Sequence, residues 1–281
     1  RKMIDEKTTM GAVTLKVADL EKVTRFYRDV VGLQVSHHTA TTATLGTPLR
    51  PLVHLQHLAD GRFLSHAPGL YHLALRVPSR QALAGWFSHY RKLDAPNWQG
   101  SADHGVSHAL YMSDPEGNGI EIYWDRPSTA WPRTEDGALT MYTRALDLQA
   151  LLREAGQNSW SGLLPETEMG HIHLKVASIP VARDFYVETL GFELMVDWAG
   201  SALFVAAGGY HHHLGLNTWQ SRQAPPLPDD AYGLAQFEIH FASPDARQAT
   251  INQLQAANHA LQHSDAGQTV RDPFNLTLLL R

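Results

Sequence analysis

Residues 13–33 read VTLKVADLEKVTRFYRDVVGL, and residues 172–192 read IHLKVASIPVARDFYVETLGF. Set one beneath the other, Leu, Lys, Val, Ala, Phe, Tyr and Gly recur at matching places. That much agreement at one constant offset marks an internal duplication. Each copy opens on alternating apolar residues, Val13, Leu15 and Val17 or Ile172, Leu174 and Val176, the period of a strand with one buried face. A helix is predicted next. Asp19 or Ser178 stands near its start as an N-cap, Val23, Phe26, Tyr27 and Val30 fall at helical spacing, and Gly32 or Gly191 closes it.

Working outward, a weaker echo of the same pattern lies between the two copies and after the second. YHLALRVPSRQALAGWFSHYRKL from Tyr71 again reads strand then helix, and ends in strands around Ala109–Met112 and Ile120–Trp124. FEIHFASPDARQATINQLQAAN from Phe237 does the same, ending in the strand Leu276–Leu280. The chain is therefore expected to hold four strand–helix–strands modules, opening near Ala12, His72, His171 and Gln236. A connector, Arg126–Met169, with a short helix around Ala145–Ala155, separates the second module from the third, and a Pro-rich loop, Ala224–Pro228, the third from the fourth. This gives an N-terminal domain over 1–128, a connector over 129–168 and a C-terminal domain over 169–281.

Composition narrows the function classes. The 281 residues are 43% hydrophobic, ordinary for a globular protein with ample chain to bury a core. The formal net charge is −5 and no dense basic patch occurs, so nucleic acid is not an expected partner. The chain has no cysteine, which excludes disulfides, thiolate metal sites and cysteine nucleophiles, and fits a reducing, cytoplasmic setting. The opening RKMIDEKTTMG lacks the apolar core of a signal peptide, and no apolar run approaches the roughly 20 residues of a membrane helix, so no membrane association is expected. The 17 histidines are the unusual number, and only those placed by a pattern carry weight.

The module starts share a register. Ala12, His72, His171 and Gln236 each stand five places before the last apolar residue of the first strand, Val17, Val77, Val176 and Phe241. Strand alternation turns that position away from the helix-packed side. A second informative stretch is DPEGNGIEIYW, Asp114–Trp124, where Asp-Pro and Gly-Asn-Gly make a tight turn and Glu121 opposes Ile120 and Ile122 on the following strand. In the fourth module the corresponding DPFNLTLLL puts Leu279 at the place of Glu121.

With GHIHLKV and its FY helix, GLYHLALRVPS, DPEGNGIEIYW and GGYHHHLGLNTW, nearly the whole chain resembles the vicinal oxygen chelate superfamily of glyoxalases, bleomycin-resistance proteins and extradiol dioxygenases. It looks most like bacterial catechol 2,3-dioxygenases of the two-domain type. The resemblance implies an α+β fold in which four βαβββ modules pair into two cup-shaped half-barrel sheets. It places metal ligands on the first strand of each module and on the last strand of the second. Carried over residue by residue, the N-terminal half holds His72 and Glu121 but has Ala12 where its first histidine would be. The C-terminal half holds His171 but has Gln236 and Leu279 in the other places. A cup made of the second and third modules gathers His72, Glu121 and His171, a two-histidine, one-carboxylate set that leaves three positions open on an iron(II) centre. The pairing of first with fourth gathers Ala12, Gln236 and Leu279 and binds no metal.

The same resemblance assigns the remaining roles. Of the run His211–His212–His213, His212 falls at the place of the acid–base histidine, while either neighbour remains an alternative. Tyr111, ten residues before Glu121, matches a tyrosine that hydrogen-bonds a substrate oxygen. The expected activity is ring cleavage of a catechol-type substrate, a small aromatic diol, with O2 and Fe(II), manganese being the alternative metal; the oligomeric state stays open, a homodimer being one option since fused repeats of this kind often dimerise. Two other functions compete with this one. A glyoxalase-like lyase or isomerase would bring a second carboxylate on the fourth strand of the module, where this chain has His211–His213. A bleomycin-resistance-type protein would bind a small molecule without catalysis. Taken singly, each residue has a structural explanation: a histidine at a strand start, a packing aromatic, a solvated histidine run. His37, His54, His57, His66, His104 and His108 are given that structural reading, His104 being notable for lying just before the strands that carry Tyr111 and Glu121.

Overall fold

In the computed structural model, which describes residues 2–157 and 159–281, the four expected modules follow one another as strand, helix and three further strands. Strand β1 (Thr9–Val17) leads into helix α1 (Leu20–Phe26), and β2 (Gln34–His38), β3 (Thr42–Thr47) and β4 (Arg50–His57) complete the first module. The second contains β5 (Gly69–Arg76), α2 (Arg80–Lys92), β6 (Trp98–Asp103), β7 (Ser107–Ser113) and β8 (Gly119–Asp125). The connector holds α3 (Leu148–Arg153), within the span expected for its helix. The third module is β9 (Glu168–Lys175), α4 (Ile179–Arg183), β10 (Glu193–Trp198), β11 (Ala202–Ala206) and β12 (Leu214–Asn217). The fourth is β13 (Gly233–His240), α5 (Pro244–Ala256), β14 (Leu261–Ser264), β15 (Gly267–Arg271) and β16 (Thr277–Leu280). No helix among the described residues is long and apolar enough to cross a membrane.

Hydrogen bonding sorts these strands into two curled eight-stranded sheets, and the sorting crosses the sequence halves. One sheet runs β14-β15-β16-β13-β1-β4-β3-β2, joining the first module to the fourth; the other runs β10-β11-β12-β9-β5-β8-β7-β6, joining the second to the third. Along each opening strand, one face is the core. Val13, Leu15 and Val17 on β1, and Ile172, Leu174 and Val176 at β9, have no exposed surface, and the alternate residues Ala12, Thr14, His171 and His173 are buried as well, so these strands are covered on both faces and not only on one as the alternation implied. Helix α1 covers β3 and β4, α4 covers β11 and β12, and α2 covers β8.

The helix of the duplicated stretch departs from expectation in one respect. Asp19 caps α1 by accepting from the Lys22 N–H at 3.0 Å, and Ser178 caps α4 by accepting from the Val181 N–H at 3.4 Å. Neither helix stays regular to its glycine. Each widens into a π-helical turn, Tyr27–Val31 and Asp184–Thr189. Such turns insert a residue without breaking the helix, and here they accompany complete burial of Tyr27 and Tyr186. Each tyrosine hydroxyl donates to a buried carboxylate, Tyr27 to Asp114 at 3.1 Å and Tyr186 to Asp272 at 2.8 Å. Gly32 and Gly191 then turn the chain at φ 91° and 89°, the left-handed region that favours glycine.

Candidate metal centre

The Asp-Pro turn that precedes β8 is built by one carboxylate. Asp114 accepts from the N–H groups of Glu116 (2.8 Å) and Asn118 (3.0 Å) through one oxygen, and from the Asn118 amide and the Tyr27 hydroxyl through the other. Glu116, at the apex, accepts from the backbone N–H groups of Ala18 and Asp19. The turn is thereby held at both ends before the chain enters β8. Within β8, Ile120 and Ile122 face the core, so Glu121 faces the concave side opposite Ala74 on β5 and Tyr111 on β7.

His72 on β5 and His171 on β9 face the same way, on neighbouring strands of one sheet. One ligand atom from each of His72, Glu121 and His171 lies within 4.8 Å of the other two, and these three form the one such His/Cys/Asp/Glu group found among the described residues. They are 7%, 2% and 2% exposed. His72 Nε2 approaches Glu121 Oε2 to 2.9 Å. A buried carboxylate beside two imidazoles is costly unless its charge is compensated. Two nitrogen donors and one oxygen donor at this spacing suit a divalent first-row cation and leave part of its coordination sphere to other ligands. The donor set therefore fits the expected metal.

The histidine run is placed differently from the sequence expectation in one detail. His211, His212 and His213 precede β12 rather than lying on it, in the connection from β11 that turns at Gly208 and Gly209 with φ of 60° and 75°. All three are buried. Their directions differ: the His212 ring centre lies 4.1 Å from that of His171, the His211 ring 6.2 Å from it, and His213 Nδ1 accepts the Ala207 N–H at 3.1 Å. His211 Nδ1 and His212 Nδ1 share one hydrogen bond of 2.8 Å. Tyr111 packs beside His72, ring centres 5.7 Å apart, over a floor of Ala74, Ala109 and Tyr123.

His104, given a structural reading in the sequence, lies against Tyr111. Its Nδ1 lies 2.9 Å from the Tyr142 carbonyl and its Nε2 2.7 Å from the Tyr111 hydroxyl. A carbonyl can only accept, so Nδ1 carries a proton; in the neutral ring Nε2 is then the acceptor and the Tyr111 hydroxyl points its hydrogen at His104. His173 was also unmarked in the sequence. It follows His171 by two residues on the same face, is 4% exposed, and pairs through Nε2 with the Asn217 amide at 3.0 Å. Gly215 makes room for it, since a Cβ there would stand 2.8 Å from the His173 ring. Among the described residues the other sheet has no such His/Glu/His group. Near Ala12 and Gln236, the buried Glu238 accepts from the Ala12 N–H at 3.2 Å and pairs with His240 Nε2 at 2.7 Å and Arg281 at 3.4 Å.

Residues 9–122 match the family model described as Glyoxalase/Bleomycin resistance protein/Dioxygenase superfamily. A catechol-2,3-dioxygenase of Bacillus subtilis (strain 168) is 39% identical over 276 residues, covering 97% of this chain and 96% of that protein. A solved structure from Bacillus subtilis subsp. subtilis str. 168 superposes with a TM-score of 0.67 at 13% identity, over 100% of this chain and 86% of that one. Glyoxalase I from Zea mays gives 0.57 at 14% identity, over 98% and 92%. These two structures share the fold with this chain.

Proposed function

The chain belongs to the glyoxalase/bleomycin resistance protein/dioxygenase superfamily, and from that premise we propose that it is an extradiol dioxygenase, opening a catechol ring beside its hydroxyls at an iron(II) centre held by His72, Glu121 and His171. The observation that carries this reading is the meeting of those three side chains on the concave face of one sheet, in a chain 39% identical to a catechol-2,3-dioxygenase. Bound there, iron(II) would supply a redox-active Lewis acid with coordination positions left open by a three-residue set. Both atoms of O2 enter the product, so the reaction needs no external reductant.

The chain's own residues supply the rest. Glu121 balances cationic charge at the site. His212, beside His171, would take a phenolic proton and return it later, a task for which an imidazole is the usual side chain. Tyr111 offers its oxygen to a substrate hydroxyl because its hydrogen is directed at His104. Ala74 and Ala109 leave the floor low enough for a planar ring. The connection before β12 brings histidines and no acid, which weighs against a glyoxalase-type proton abstraction by a second carboxylate.

Protein reconstituted anaerobically with iron(II), then given catechol and air, should take up oxygen and form a yellow ring-opened product. Manganese(II) loaded in parallel identifies the working metal. Bound metal and turnover unchanged in His72→Ala and His171→Ala would sink this reading.

A further inference from the structure

The tripeptide Leu-Lys-Val occurs in both copies of the duplicated stretch, as Leu15–Val17 and Leu174–Val176, so Lys16 and Lys175 hold equivalent places. Their surroundings do not match. Lys16 donates to the Asp229 carbonyl at 2.7 Å, and the carboxylates of Asp229 and Asp230 offset part of its burial, which with Arg271 still holds its pKa below the usual lysine value. Lys175 has no acceptor or carboxylate for its ammonium among the described residues. Burial alone acts on it and holds its pKa below the usual lysine value. An unpaired cation drawn partly out of water is a standing cost.

Its position suggests what would relieve that cost. Leu174 and Val176 point into the core with no exposed surface, so Lys175 faces the concave side with His171 and His173. Asn217, opposite it on β12, is already engaged: its amide meets His173 at 3.0 Å and its carbonyl oxygen accepts the Trp219 N–H at 3.1 Å. Gly69 presents no side chain, and the Lys175 Cε lies 4.0 Å from where a Cβ would stand. Tyr71, His173 and Trp219 make an aromatic wall here, with ring centres 5.0 to 5.6 Å apart. The four-residue step from His171 to Lys175 is about 13 Å of strand, room for a catechol ring and a short side arm.

We propose that Lys175 recognises a carboxylate carried on a short arm of the catechol, the arm lying along the Tyr71–His173–Trp219 wall. This rests on the ring-cleavage reading and adds a substrate class to it. The alternative is a lysine that merely lays its stem over apolar surface.

The test compares 3-(3,4-dihydroxyphenyl)propanoate with 4-propylcatechol, an uncharged counterpart of the same arm length, on iron-loaded full-length protein. The wild type should favour the propanoate in kcat/KM. Lys175→Met should lower that preference by about tenfold, chiefly through KM, and Lys175→Arg should restore most of it. A preference equal in wild type and Lys175→Met overturns the proposal. Calorimetric binding of both compounds under nitrogen separates it from the reaction. Tighter propanoate binding that is lost in Lys175→Met upholds the lysine's role even where air produces no ring opening, and equal binding removes it.

Discussion

Each of His72, Glu121 and His171, the proposed ligands, stands on its own strand, so replacing any one leaves the other two in the same sheet. Glu121→Gln keeps the shape and removes the charge; it should weaken iron(II) binding by more than about 100-fold, read by competition with a chromogenic chelator. His104 lies one contact further out, against the Tyr111 hydroxyl. Its proton is fixed on Nδ1 by the Tyr142 carbonyl, so His104→Phe should lower kcat by about 100-fold with little change in KM, while His104→Gln, which keeps an acceptor for Tyr111, should recover part of the loss. Equal losses in both variants would mean that His104 only fills space. This pair of contacts was not legible in the sequence because the carbonyl that meets His104 comes from the connector, with no local spacing to reveal it. His72, Glu121 and His171 are singled out because each occupies a register position, defined by strand alternation, to which the superfamily resemblance assigns a ligand.

At the scale of elements, the turns before the last strands of the second and fourth modules are each fastened by a buried tyrosine–aspartate pair. Strands, caps and terminal glycines followed from periodicity and residue type. The π-helical turns did not, since apolar residues at helical spacing fit either winding and only the buried tyrosines decide it. Asp272 has a pH consequence. Burial pushes its pKa up to about 6, against the lowering effect of the N–H groups of Phe274 and Leu276 and the Tyr186 hydroxyl. A carboxyl whose folded pKa is raised binds more protons in the native state. Its contribution is therefore favourable in acid and is lost as pH rises from about 4 to about 6. The full effect is at most roughly 3 kcal/mol. Asp272→Asn keeps an acceptor for both N–H groups without the charge. Urea unfolding of the metal-free protein at pH 4.5 and pH 7 should show the wild type losing stability relative to Asp272→Asn by about 1–3 kcal/mol over that interval. Parallel pH dependences would exclude Asp272 as the source.

For the molecule as a whole, duplication explains the two sheets, and divergence explains why one of them gathers His72, Glu121 and His171, the proposed metal-ligand set. The second module kept His72 and Glu121, the third kept His171 and His212, and hydrogen bonding places those two modules in one sheet. In the other sheet Ala12, Gln236 and Leu279 take the ligand places, and Glu238 is occupied by His240 and Arg281. The complementary losses were visible in the sequence once the four registers were aligned. The Glu238 network was not, because it depends on Gly11, where a Cβ would stand 2.2 Å from His240. A chain divided within the connector should yield halves that bind no iron separately and bind it when produced together. The most direct measurement is iron content per chain after anaerobic reconstitution and desalting, for wild type, His72→Ala and His171→Ala. A shared centre predicts one iron per wild-type chain and almost none in either variant; iron retained in His171→Ala at the wild-type level would contradict it.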